Sequence, residues 1–174
     1  MATQEKEKTT LDTICKNLAE YAVDRDEIKH LVETLPKNQN INTVTVEYEL
    51  QLLKIITIGW SIAIYMQAFE KKQLFEQKFW EMIREFSKDI SNVTSLMIGH
   101  DINYFDLIKE RFDTYIKSLE TAQNEEDPAS AIGPAFAKVC NDSENAFVVI
   151  SGSRLFNYSV RATKEYLEAE ELLA

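Results

Sequence analysis

Ile55-Ile-Thr-Ile-Gly-Trp-Ser-Ile-Ala-Ile-Tyr-Met-Gln-Ala-Phe69 runs for fifteen residues without a charge, between Lys54 and Glu70. A surface helix keeps polar residues on one side, and a helix that is apolar all round is buried all round. The stretch is therefore read as the central helix of an all-α domain, with the other helices wrapped around it. Its β-branched start, Ile55-Ile-Thr-Ile58, suits a strand equally well, and length decides between the two. Extended back through Val44, Val46, Leu50, Leu52 and Leu53, the pattern outruns an ordinary strand. A bilayer needs about 20 consecutive apolar residues. This run is shorter and is interrupted by Thr57, Ser61 and Gln67, so no membrane span is expected.

The whole composition agrees with a helical domain. In 174 residues, 45% are hydrophobic, which excludes a disordered chain. Four glycines and three prolines are too few for a turn-rich β protein. A disordered polar tail is expected over 1–9, followed by one all-helical domain over 10–174. The tail has no apolar core of a secretory signal. The net charge of −10, from 19 basic and 29 acidic residues, argues against a nucleic-acid partner, because phosphate binding draws on clustered Lys and Arg. Cys15 and Cys140 form no CxxC spacing and are read as small buried hydrophobes in a reducing cytoplasm.

Local signals divide the chain. Thr9 or Thr10 caps a first helix carrying Leu11, Ile14, Leu18, Tyr21 and Ala22. Asp24-Arg-Asp-Glu27 has the form of a capping box and breaks that helix. A second piece, lined by Ile28, Leu31, Val32 and Leu35, ends at Pro36. The central helix is expected from Asn42 or Thr43 to about Glu70, with a turn near Lys71 to Gln73. The next helix carries Phe75, Phe79, Met82, Ile83, Phe86, Ile90, Val93 and Met97, and Gly99 ends it. Asp101 or Asn103 opens another, striped by Phe105, Ile108, Phe112, Tyr115, Leu119 and Ala122. A polar turn at Asn124 to Asp127 leads to Asp127-Pro128, a start signal for an element that is short or kinked at Gly133-Pro134. Asn141-Asp-Ser-Glu144 resembles a second capping box. The last helix is expected to reach about Leu172, with Phe147, Ile150, Leu155, Tyr158, Ala162 and Tyr166 along it and Ser151-Gly-Ser153 as a bend. The sum is a bundle of five to seven helices.

Few residues suggest chemistry. Gly59 and Ala63 share one face of the central helix, as do Thr57 and Ser61. The two hydroxyls either bond the carbonyl one turn back or line a polar spot that takes a small-molecule ligand, so Thr57, Gly59, Ser61 and Ala63 are the ligand-site candidates. Glu27-x-x-His30 is half of a di-iron motif. The other histidine, His100, has no Glu three residues before it, and no metal is assigned. Glu81 and Glu85, and separately Glu165, Glu168 and Glu171, are read as solvated faces interleaved with basic residues; the alternative is a magnesium site. No Gly-x-Ser-x-Gly elbow and no Gly-rich phosphate loop occurs, so no catalytic residue and no cofactor is assigned.

Nine Phe, seven Tyr and two Trp are enough for a core and something more: either large rings fill gaps between unevenly spaced helices, or some sit at an interface, for which Trp80 and Tyr104 are the candidates. The resulting expectation is a non-enzymatic cytoplasmic bundle acting through protein–protein interaction, with a protein partner or with itself as a homodimer. One alternative is a small-molecule-binding bundle with a pocket near the central helix. The other is a magnesium-dependent helical hydrolase using Glu81 and Glu85.

Overall fold

The computed structural model describes residues 10–122 and 127–173, apart from the side chains of Met97 and Ile98. The tail expected at 1–9, the turn residues 124–126 and the stripe position Met97 lie outside the described residues. Among the described residues there are seven helices: α1 (Leu11–Val23), α2 (Asp26–Glu33), α3 (Thr43–Tyr65), α4 (Lys72–Ile98), α5 (Tyr104–Thr121), α6 (Ala129–Val139) and α7 (Ala146–Ala169). All six of the others pack on α3. The expected central helix is thus the axis of an all-α bundle. Among the described residues, no helix is long and apolar enough to cross a membrane.

The buried part of α3 overlaps the uncharged run but does not coincide with it. Burial is unbroken from Glu49 to Gly59, about three helical turns. It therefore takes in Glu49, Gln51 and Lys54, while Ile64 is 41% exposed near the other end. The helix also stops at Tyr65, short of Glu70. Met66 N–H still bonds Ile62 O, but Phe69 N–H then bonds Met66 O and Lys72 N–H bonds Phe69 O. Two tight turns in succession reverse the chain into α4.

Several caps form as the residue types suggest. Thr10, Asn42 and Asn103 accept from the backbone three residues on, and Gly99 ends α4 at φ 77°. Asp127 accepts from Ala129 N at 3.0 Å, with Pro128 already helical. Two expected boxes do not form. Asn145, one residue past the second box, caps α7. The Glu27 carboxylate turns to Tyr21 and Lys54 instead of its own backbone.

In α7 half of the expected stripe proves to be on the wrong side: Leu155 is buried and Ala162 and Tyr166 are half-buried, but the other three are exposed. The inner face is Val148, Ser151, Gly152, Leu155, Phe156, Ser159, Thr163 and Leu167. Phe147, Ile150 and Tyr158 point outward. The helix is continuous through Ser151-Gly-Ser153, so Gly152 is not a bend. It is a point of close approach: a Cβ there would lie 2.7 Å from Phe136 Cβ of α6. The other half of this contact is Gly133, where a Cβ would meet Val149 O at 2.8 Å.

Candidate functional site

The charged residues inside the bundle are all answered locally. Lys54 is fully buried. Its ammonium lies 3.1 Å from Glu27 Oε2, donates to Asp24 O at 3.0 Å, and sits 4.0 Å from the centre of the Tyr21 ring. Tyr21 Oη donates to both Glu27 oxygens, at 2.9 and 3.0 Å. Burial first, then this hydrogen bond, raises the Tyr21 pKa. Gln51 Nε2 donates to Ala22 O at 2.8 Å. This group ties the α1–α2 turn to α3.

A second group ties α5 to α3. Arg111 grips Glu49 in a bidentate pair, Nε to Oε2 and Nη2 to Oε1, both 2.9 Å. Its Nη1 donates to Glu110 Oε1 at 2.6 Å. The Glu49 hydrogen bond, above all, raises the Arg111 pKa, so the guanidinium stays charged. Tyr115 is buried nearby, its hydroxyl without a partner among the described residues, and burial raises its pKa well above the ordinary value. The two buried thiols are shifted in the same way. Burial pushes Cys15 up to about 11 and Cys140 up to about 12.

The four ligand-site candidates on α3 do not converge. Successive helix residues are about 100° apart, so Gly59 and Ala63 lie on the side opposite Thr57 and Ser61. The space beside Gly59 is filled by α4: a Cβ there would lie 2.3 Å from Trp80 Cζ2. Ser61 Oγ donates to Thr57 O at 2.7 Å, one turn back. Thr57 Oγ1 is buried without a partner among the described residues. Trp80 is half-buried and meets Phe79 and Phe112 edge to face. Tyr104 is 2% exposed and packs on Tyr48. It lies inside the core, so its ring offers no surface to a partner.

The acidic candidates lie on the surface. Glu81 accepts from Gln77, Glu85 pairs with Lys88, Glu165 with Arg161, and Glu168 with Lys164. The Glu27 carboxylate is committed to Lys54 and Tyr21, and His30 is exposed. Among the described residues, no group of three or more His, Cys, Asp or Glu is placed to hold a metal.

Two surfaces stand out instead. On the outer face of α7, Phe147, Ile150 and Tyr158 are 45%, 50% and 59% exposed, with Arg154, Arg161 and Glu165 among them. The second is a groove of about 1060 Å³ between α5 and α6, lined by Arg111, Lys117 and Lys138, by Thr114, Ser118 and Thr121, and by small residues of α6. Neither was singled out from the sequence. The α7 face was hidden because the inner face of that helix is rich in Ser, Thr and Gly. The groove depends on which helices become neighbours. Comparison with family models, curated proteins and solved structures finds no match for this chain.

Proposed function

We propose that the chain acts by protein–protein interaction, with a second copy of itself as partner, through the outer face of α7. The observation that supports this is the exposure of Phe147, Ile150 and Tyr158 on one face of a helix whose opposite face is wholly buried. Large apolar side chains gathered on one face are characteristic of contact surfaces. The charges favour a second copy. Along this face the basic residues Arg154 and Arg161 come first and the acidic residues Glu165 and Glu168 follow. In a two-fold contact, residue i meets j and j meets i. An antiparallel α7 pair with its axis between Tyr158 and Arg161 sets Arg154 against the partner's Glu165, and Ile150 against the partner's Ala169. Arg154 has no partner within its own chain among the described residues. Glu165 has only an exposed pair with Arg161 at 3.2 Å, worth about 0.3–0.5 kcal/mol.

The test is a charge exchange read by sedimentation velocity over a concentration series. Wild type is expected to dimerise. Arg154→Glu and Glu165→Arg are each expected to weaken the dimer, and the double variant to restore it. A wild-type monomer at high concentration, or a double variant no tighter than the singles, would overturn the proposal.

A further inference from the structure

The α5–α6 groove has a chemistry unlike the rest of this acidic molecule. Arg111, in the middle of α5, is near enough to Cys140 at the end of α6 for its charge to act on that thiol, which sets it at the same end of the groove as Lys138 and Asn141. All three line the groove, together with Lys117, and no carboxylate lines it among the described residues. Glu49 and Glu110 compensate the charge of Arg111. The positive charge of the groove therefore rests on Lys117 and Lys138, neither of which pairs with a carboxylate among the described residues.

Arg111 contributes position. Glu49 is 4% exposed and holds the guanidinium by two bonds. A guanidinium has five N–H donors, and three are used by Glu49 and Glu110. One N–H on each terminal nitrogen remains for a ligand. Planar, fixed guanidinium donors suit phosphate and carboxylate oxygens.

The wall between the cations is different in kind. Thr114, Ser118 and Thr121 donate their hydroxyl protons to Glu110 O, Thr114 O and Lys117 O, one turn back along α5. All three residues line the groove, and their hydroxyls are acceptors with no proton left to give. An anion would be repelled by such a wall, whereas the O–H groups of a ligand would be accepted by it. Opposite them, Ala131, Pro134 and Ala135 leave room because their side chains are small.

From this inventory we infer that the α5–α6 groove binds a small phosphorylated polyol, with the phosphate at the Arg111–Lys138–Asn141 end and the hydroxyls along Thr114, Ser118 and Thr121. The inference is independent of the α7 surface.

The test is amide chemical-shift titration of the full chain with ribose 5-phosphate, inorganic phosphate and ribose. Ribose 5-phosphate is expected to shift amides of α5 and α6 around the groove, inorganic phosphate to shift the Lys138 end more weakly, and ribose alone to do little. Lys117→Gln with Lys138→Gln should weaken ribose 5-phosphate about tenfold or more, from the loss of charge-assisted bonds, while Lys16→Gln on α1 leaves it unchanged. Both lysines are surface residues, and thermal melts confirm that the variants fold. Shifts that are absent, scattered over the surface, or retained in the double variant overturn the site. If ribose 5-phosphate binds no more tightly than inorganic phosphate, the role of the hydroxyl wall is overturned.

Discussion

Removing either partner of the Lys54–Glu27 pair will destabilise the bundle, but by unequal amounts. The asymmetry follows from burial. The Lys54 side chain is 0% exposed, whereas that of Glu27 is 36% exposed. In Glu27→Gln the ammonium stays inside without a counter-ion. Breaking a buried pair in this way costs about 3–5 kcal/mol, and the low end applies because Gln retains an acceptor. In Lys54→Met the lost terms are the charge-assisted bond to Asp24 O, about 1.5–3 kcal/mol, and the contact with the Tyr21 ring, up to about 2 kcal/mol when desolvated. Against these stands the desolvation cost of the ammonium, which disappears with it. Glu27 then turns to water while keeping its two bonds from Tyr21. A net loss of about 1–2 kcal/mol is expected on these terms. Urea unfolding followed by the fluorescence of Trp60 and Trp80 measures both variants, and the double variant completes the cycle. Lys54→Met costing as much as Glu27→Gln, or Glu27→Gln costing under about 1 kcal/mol, would refute the account.

Two further outcomes can be checked on the same instrument. Gly59→Ala and Gly152→Ala both overpack the core, by about 1–3 kcal/mol before the roughly 1 kcal/mol gained in helix propensity. Gly152→Ala should be the worse, because it meets Phe136 Cβ, which is fixed to its backbone, whereas Gly59→Ala meets the far edge of the Trp80 ring. Equal losses in urea midpoint would contradict this. Stability should also fall in alkali. Cys15 and Cys140 are raised from 9.0 to about 11 and about 12, and Tyr104 and Tyr115 are raised above 10.0, mainly by burial. The stabilisation is complete while both states are protonated, below about pH 9. It is lost as pH rises and the unfolded chain ionises first, at about 1.4 kcal/mol per pH unit for each group. Unchanged unfolding free energy between pH 8 and pH 11, or thiols that react with a disulfide reagent as fast in the native as in the unfolded protein, would refute it.

What could be read from the chain depended on whether burial coincided with hydrophobicity. It did for the middle of α3 and for the α5 stripe, where Ile108 and Tyr115 are buried, so the helices and the central role of α3 were legible. It did not for α7. Gly152 is buried there because it has no side chain to obstruct Phe136. Ser151 and Thr163 are buried with their hydroxyls bonded one turn back. Such residues are small enough to bring helices close yet read as polar, so the periodic signal drew in Phe147, Ile150 and Tyr158 from the opposite face. The same cause made Gly59 look like room for a ligand, when the room was for Trp80. The groove between α5 and α6 had no local signal, since it depends on two helices becoming neighbours.

The charges on α3 carry one further consequence. Apart from Gln51, Thr57, Gly59 and Ser61, the rest of its buried surface is Leu, Ile and Val, which any apolar helix can pack against in several registers. Lys54 meets the α1–α2 turn and Glu49 meets α5, on sides of α3 about 140° apart by helical geometry. We take as a hypothesis that these two polar ties fix where the surrounding helices stop along α3, at some cost in stability, since apolar replacement of buried pairs is often neutral or stabilising by about 1–4 kcal/mol. Replacing Lys54, Glu27, Glu49 and Arg111 together by Met tests it. The quadruple variant should match or exceed wild type in unfolding midpoint, yet show a shallower urea transition, dye binding and broadened amide signals, as a core with several registers would. A variant that is equally stable and equally sharp would show that the apolar packing alone sets the register, and that the ions are tolerated rather than required.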